Sequence, residues 1–218
     1  MKKLVIFAAV FIVATGCCSE RTVPERRLAV PPVLFSKTHS QNEWSDNQVA
    51  VMQWNIPKNA IKGYALIMNK VPVFEVQPLV NLEPEAMKFI TPKLSDGVTY
   101  FHMRTIGADE RPSATAHYKL NICAEKPVTP QIKSPTHTDG AASKRRSLKL
   151  IWEDGGICVK GFYYSLTPKE NAEPDLFITN NGIEFHNLKD GTYTFSLRAA
   201  SRTGIKGDIS KYRIVIVP

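Results

Sequence analysis

No apolar run in this 218-residue chain is long enough to cross a membrane as a helix. The longest, residues 4–14, has eleven residues, against about 20 for a bilayer span. Long stretches with helical apolar periodicity are also missing, which excludes helix bundles and the strand–helix alternation of doubly wound folds. There is no nucleophile elbow, no His-Glu-x-x-His, no Cys-x-x-Cys and no glycine-rich phosphate loop. The local signatures of serine hydrolases, zincins, dithiol redox proteins and P-loop enzymes are therefore absent, and no catalytic residue or cofactor is assigned. Acidic residues are scarcer than basic ones, 20 against 28, leaving a formal net charge of +8. Glu83, Glu85, Asp96, Asp190 and Asp208 fall in turns and connections, and nothing selects a carboxylate pair for acid–base work.

The short apolar run itself is informative. Lys2 and Lys3 precede it, and Ala14-Thr15-Gly16-Cys17 follows it. A positive start, a short apolar stretch and small residues make a secretory signal peptide, here residues 1–16. The four residues ending at Cys17 resemble the lipobox of bacterial lipoproteins. That resemblance implies cleavage before Cys17, a diacylglycerol on its thiol and attachment to a membrane. Ordinary secretion with a free Cys17 is the alternative. Loss of Lys2 and Lys3 lowers the charge from +8 to +6. Several acyl chains on one residue make attachment stable, and residues 17–30 read as an extended lipidated tether. The implied location is the bacterial cell envelope. Cys18, where an Asp would signal retention, favours the outer membrane of a two-membrane bacterium.

The rest of the chain is one pattern written twice. Ala50, Met52, Trp54, Gly63, Tyr64, Leu66 and Met68 recur 98 positions later as Leu148, Leu150, Trp152, Gly161, Phe162, Tyr164 and Leu166. The segment from Leu94 to Arg104, with its Asp-Gly turn, recurs 94 positions later from Leu188 to Arg198. A unit this long is a domain used twice, not a solenoid repeat. The apolar residues alternate with period two, and Gly, Pro, Asn and Asp separate the runs, so each unit is an all-β sandwich of short strands. Domain 1 is predicted over residues 31–123, a proline-marked linker over 124–130 and domain 2 over 131–218. Trp54 and Trp152, in phase with apolar neighbours, are expected in the two cores. Thr38-His39 and Thr136-His137 recur at the same offset, which points to hydrogen bonds of the first strand rather than to metal ligands.

The order of these parts resembles fibronectin type III and related immunoglobulin-like modules. Trp sits on the second strand and is followed by Pro57, Gly-Tyr or Gly-Phe opens the third strand, and Leu-x-x-Gly-x-x-aromatic leads into the sixth. The closest echo is the Asp-Gly-Thr-Tyr-x-Phe-x-x-Arg-Ala strand of bacterial extracytoplasmic modules, here residues 190–199. The resemblance covers nearly all of residues 31–218. Domain 1 departs from it with Thr99 where domain 2 has Tyr193. Domain 2 has Glu153-Asp154-Gly155-Gly156 where domain 1 has its proline.

Four features carry interaction chemistry. Export permits disulfides. Cys123 ends domain 1, and Cys158, between the second and third strands of domain 2, should face the linker. The spacing leaves open a bridge between them or two free thiols. His102 and His117 are expected opposite each other on outward strand faces as a solvated pair. Two histidines do not close a zinc site, and Arg104 and Lys119 beside them repel a cation, so no metal is assigned. Lys144, Arg145 and Arg146 form a basic run, and Arg104, Lys119, Arg198, Lys211 and Arg213 are expected in solvent on outward faces. Without aromatic interleaving these do not indicate nucleic acid; anionic lipid, glycan or an acidic protein would suit them better. The segment 71–82 is apolar at an expected sheet edge, and Phe74 and Leu79 in it either form a partner surface or cover their own core.

The sequence therefore reads as a non-enzymatic, membrane-anchored structural or protein-interaction subunit whose partner is another envelope protein. A carbohydrate or host-matrix binder would need grouped outward aromatics, for which Phe74 and Tyr163 are the candidates. An accessory subunit of an envelope hydrolase would need a carboxylate cleft. The mature chain is expected to begin at acylated Cys17. Mass spectrometry that finds an unmodified N-terminus at any other residue removes the lipoprotein reading.

Overall fold

The computed structural model describes residues 29–58 and 61–218. The signal peptide, Cys17 and nearly all of the tether lie outside the described residues. Among the described residues every element is a strand. In the first unit β1 (Leu34–Ser36), β3 (Val51–Trp54) and β5 (Lys88–Ile90) form one antiparallel sheet. The facing sheet has the order β2 (Trp44–Ser45), β7 (Ala116–Ile122), β6 (Gly97–Gly107) and β4 (Ile61–Asn69), with β2 parallel to β7. The second unit repeats this plan. There β9 (Leu148–Ile151) pairs with β12 (Gly182–Phe185), and an isolated bridge from Lys133 to Ile151 brings the entering chain alongside. Its larger sheet runs β11 (Leu176–Ile178), β10 (Val159–Thr167), β13 (Gly191–Ser201), β14 (Ser210–Ile216) and β8 (Ala142–Ser143).

Alternation decides which residues fill each sandwich, because successive side chains on a strand point to opposite faces. Met52, Trp54, Tyr64, Phe101, Met103, Leu120 and Ile122 meet in the first core; Leu150, Trp152, Phe162, Phe195, Leu197 and Ile214 meet in the second. Trp54 and Trp152 are 2% and 6% exposed, each edge-on to the aromatic residue that opens the next strand, Tyr64 at 5.5 Å and Phe162 at 5.6 Å between ring centroids. The glycine before that aromatic has a steric reason. A Cβ on Gly161 would lie 2.5 Å from Phe177 and 2.7 Å from the Ile178 carbonyl; one on Gly63 would lie 2.5 Å from the Leu82 carbonyl. Only a bare backbone lets the sheet's edge segment come this close.

The first strand of each unit is fastened by the same clamp. Ser36 Oγ donates to the Val51 carbonyl, and Thr38 Oγ1 accepts from the Val51 amide. Ser134 and Thr136 do the same with Lys149. His39 Nε2 donates to the Asn47 carbonyl at 2.8 Å, and His137 Nε2 to the Arg145 carbonyl at 2.9 Å. A carbonyl only accepts, so the proton sits on Nε2 and Nδ1 is left to accept from the neighbouring threonine hydroxyl. Tyr118 and Tyr212 complete the clamp, each hydroxyl donating at 2.6 Å to the carbonyl of that histidine. Burial pushes both phenols above their ordinary pKa, which keeps them protonated as donors.

The four extra residues of domain 1 are divided in space. Glu75 and Glu173 hold the 98 offset, Leu82 and Ile178 at the sheet edge stand 96 apart, and Phe89 and Ile183 stand 94 apart. Two of the four therefore precede the edge position and two follow it. The edge itself differs too. Domain 2 pairs a three-residue strand there, whereas in domain 1 the Asn81 side chain makes both bonds to the Leu66 backbone, in the manner of a strand residue.

Trp54→Ala and Trp152→Ala are each expected to destabilise their domain by about 3–5 kcal/mol, the usual result of emptying an aromatic core site. Chemical denaturation should show the loss as an earlier unfolding transition. A small shift in either variant would mean that the indole is not the centre of its core.

Candidate functional site

Two regions stand apart from the sandwich cores: the outer face of the β4–β6–β7 sheet, and the junction between the domains. On the outer face β6 and β7 set His102 against His117, as the spacing indicates. The pair is not solvated, however. His102 is 0% exposed, covered by Phe74 at 5.8 Å and by Tyr100, while His117 faces solvent. The connection after β4 folds back over the strand and takes His102 out of water, which alternation along β6 alone could not reveal. Asn69 Oδ1 accepts the Val71 amide and faces His102 Nε2 at 3.0 Å, so His102 donates there. Its Nδ1 then accepts from His117 Nδ1 at 2.7 Å. Burial first, and the His117 charge second, hold the His102 pKa below its ordinary value.

Arg104 is also corrected from outward and solvated to buried. Its guanidinium donates to the carbonyls of Val76 and Ser113 and pairs with Glu75 at 2.8 Å. Domain 2 repeats the pair as Arg198–Glu173. Both lie where the connection after the third strand crosses the sheet, so these arginines fasten the cover rather than offer a cationic surface. Lys211 and Arg213 are exposed, as expected.

The connection divides the candidate partner residues. Phe74 is half-buried against Ala65, Val76 and Ile106, a small second core outside the sandwich, so of its two expected roles it takes that of cover and not of partner surface. Leu79 remains 74% exposed, and Val73 and Val80 of the same connection are exposed as well. In the basic run Arg146 is committed to Asp190 at 2.7 Å and to the Leu188 carbonyl. Lys144 and Arg145 are exposed, although the Arg145 carbonyl serves the histidine clamp. Among the described residues no group of three or more His, Cys, Asp and Glu could hold a metal ion.

The junction is built around a disulfide. Cys123 and Cys158 are bonded with Cα atoms 5.5 Å apart, closing a separation of 35 residues. Next to it Thr203 Oγ1 donates to the Cys123 carbonyl at 2.7 Å, and the Arg202 amide donates to the Cys158 carbonyl at 2.8 Å. Arg202 lays its guanidinium over Trp44 of domain 1, 5.3 Å from the ring centroid. Asp96 receives the amides of Ala124 and Glu125 at the start of the linker, and Lys126 pairs with Asp208. No pattern in the sequence signals the Trp44–Arg202 stack, whereas the 98 and 94 offsets of Glu75/Glu173 and Arg104/Arg198 do signal the two Arg–Glu pairs.

A scan against protein-family models found no match, and neither did a search of the curated proteins. Among solved structures, the fibronectin(III)-like modules of Clostridium thermocellum CbhA are similar at a TM-score of 0.35 and 8% identity, over 84% of this chain and 94% of that one. The fold is a tandem of fibronectin type III-like β-sandwiches. The strand order carries that statement: β1, β3 and β5 face a sheet of β4, β6 and β7 with the short β2 at its edge.

His102 gives the structure a pH dependence. Its folded-state pKa is depressed, so below the ordinary value of 6.5 the unfolded chain takes up a proton that the folded chain resists. Its stabilising contribution is present above that pH and is lost as pH falls through the folded-state value. Urea midpoints should therefore fall between about pH 7 and 5, and fall less in His102→Gln. Equal pH slopes in the two proteins would show that His102 is not protected from protonation.

Proposed function

We propose that this chain is a non-enzymatic lipoprotein of the bacterial cell envelope, anchored through Cys17 and acting as a structural or protein-interaction subunit. The observation that carries the reading is the placement of the two ends of domain 1. Residue 29 lies near Gly107 at one end of β6, while Ile122 and the junction lie beside Gly97 at the other. Eleven residues of strand separate these ends by roughly 33 Å. A chain tethered before residue 29 would hold the junction and domain 2 one domain length from the membrane. The disulfide supports an oxidising compartment, and its loop closure stabilises the folded chain by roughly 4 kcal/mol in the chain-entropy treatment. In a two-membrane bacterium the reading places the anchor in the outer membrane.

The partner in this reading is another envelope protein, and the exposed apolar edge around Val73 and Leu79 supports contact with it. The test is affinity recovery of the full chain from detergent-solubilised envelope, alongside Leu79→Asp. One stoichiometric protein should co-purify with the parent chain and be lost from the variant, whose thermal midpoint should be unchanged. Recovery of the parent chain alone would sink the interaction reading. Recovery of the chain without detergent, in the soluble fraction, would sink the anchor.

A further inference from the structure

The two domains are an internal comparison. What both copies keep, such as the tryptophan cores, the histidine clamps and the Arg–Glu pairs, serves the scaffold. What one copy has alone is a graft, and grafts are where function is carried. The clearest graft is an open concavity of about 410 Å³ on the outer face of β10 and β13, beside the junction. Lys160, Tyr163, Phe177, Arg202, Gly204 and Lys206 line it, and no acidic side chain does. None of its three cations makes an ion pair with a described carboxylate, in contrast to Lys62, the domain 1 match of Lys160.

In domain 1 the corresponding site is dismantled residue by residue. The positions matching Tyr163, Phe177, Arg202 and Lys206 are Ala65, Asn81, Ala108 and Pro112. Lys62, the match of Lys160, is neutralised at 2.6 Å by Glu110. The match of Glu110 is Gly204, in the same left-handed turn position, with φ of 66° for the glutamate and 91° for the glycine. Thus domain 2 has no carboxylate where domain 1 closes its cation, and has aromatic rings where domain 1 has small or polar side chains.

We propose that this concavity binds a saccharide carrying an acidic group, a uronate or a sulfated or phosphorylated sugar. Phe177 lies across the bare backbone at Gly161, 44% exposed, with Tyr163 edge-on at 5.1 Å. The two rings give an apolar wall against which the C–H face of a sugar ring can pack. Lys206 stands 5.0 Å from the centroid of Tyr163, so an anion brought to it lies next to the ring. Lys160 and Arg202 add charge-assisted donors. The size falls within the usual range for small-ligand sites. A membrane headgroup is disfavoured by position, because domain 1 stands between this site and the tether, and a bare inorganic anion would leave the aromatic wall unused.

The experiment titrates the full chain with oligogalacturonate, a heparin-derived oligosaccharide, a neutral malto-oligosaccharide, inorganic sulfate and inorganic phosphate. Vesicles containing phosphatidylglycerol form a separate arm. An acidic oligosaccharide should bind, more weakly at higher salt, with the carboxylate and sulfate probes telling the two sources of charge apart. The neutral oligosaccharide and the inorganic anions should not bind at the same concentrations. Phe177→Ala and Lys206→Glu should each weaken binding at least about tenfold, a change of roughly 1.4 kcal/mol, with thermal midpoints unchanged. The inference is overturned if no acidic oligosaccharide binds, if inorganic anions bind equally well, if both variants bind like the parent chain, or if only the vesicles bind.

Discussion

Much of this molecule depends on the covalent closure at the end of β7, where Cys123 is bonded to the loop that enters β10. A linker of a few residues between two sandwiches would ordinarily leave them free to reorient, since contacts between domains are small and polar by default. Here the disulfide is reinforced on both sides: Thr203 and Arg202 bond the carbonyls of the two cysteines, and Arg202 also covers Trp44. None of the non-covalent contacts would suffice alone, because a solvent-facing cation–π contact contributes about 0.5–1 kcal/mol and an exposed pair such as Lys126–Asp208 still less. Held in register by the covalent bond, they act together. The bond holds domain 2 at the far end of domain 1, with Arg202 at the rim of the domain 2 concavity.

Comparison of the copies also separates two uses of polar residues. The Ser-x-Thr-His segment and its tyrosine recur because each sandwich must satisfy the same buried backbone groups where the first strand starts. The Arg–Glu pairs recur because each sandwich is crossed by the same connection. The two histidines and Arg104 are engaged in holding backbone, and Arg198 in holding Glu173. The His102–His117 pair has no counterpart in domain 2, where the matching positions are Ser196 and Lys211. It is nonetheless tied to the local cover through Asn69 and Phe74, so it reports on that cover more than it offers a ligand site.

The sandwich plan, the repeat, the Trp54 and Trp152 cores and the engagement of His39 and His137 were legible in the chain because they follow from local rules. Period-two alternation fixes which face a side chain takes, and equal offsets in two copies identify residues that serve the scaffold. The approach of Cys158 to the linker followed from strand order. The same rules failed at Arg104 and His102, and left Phe74 undecided. Alternation placed the first two on an outer face correctly, but it carries no information about what later covers that face.

The sequence by itself determined the fold class, the repeat and the tryptophan at the centre of each core, since these depend on the order and periodicity of neighbouring residues. Only the tertiary structure decided which outward residues stay in water and which meet. Glu75 reaches Arg104 across 29 positions, and Trp44 reaches Arg202 across 158. Tyr163 and Phe177 become one wall only because a bare glycine lets the edge strand lie against its neighbour. Those meetings depend on how connections fold back over a sheet and how two domains are locked, and alternation along a strand encodes neither.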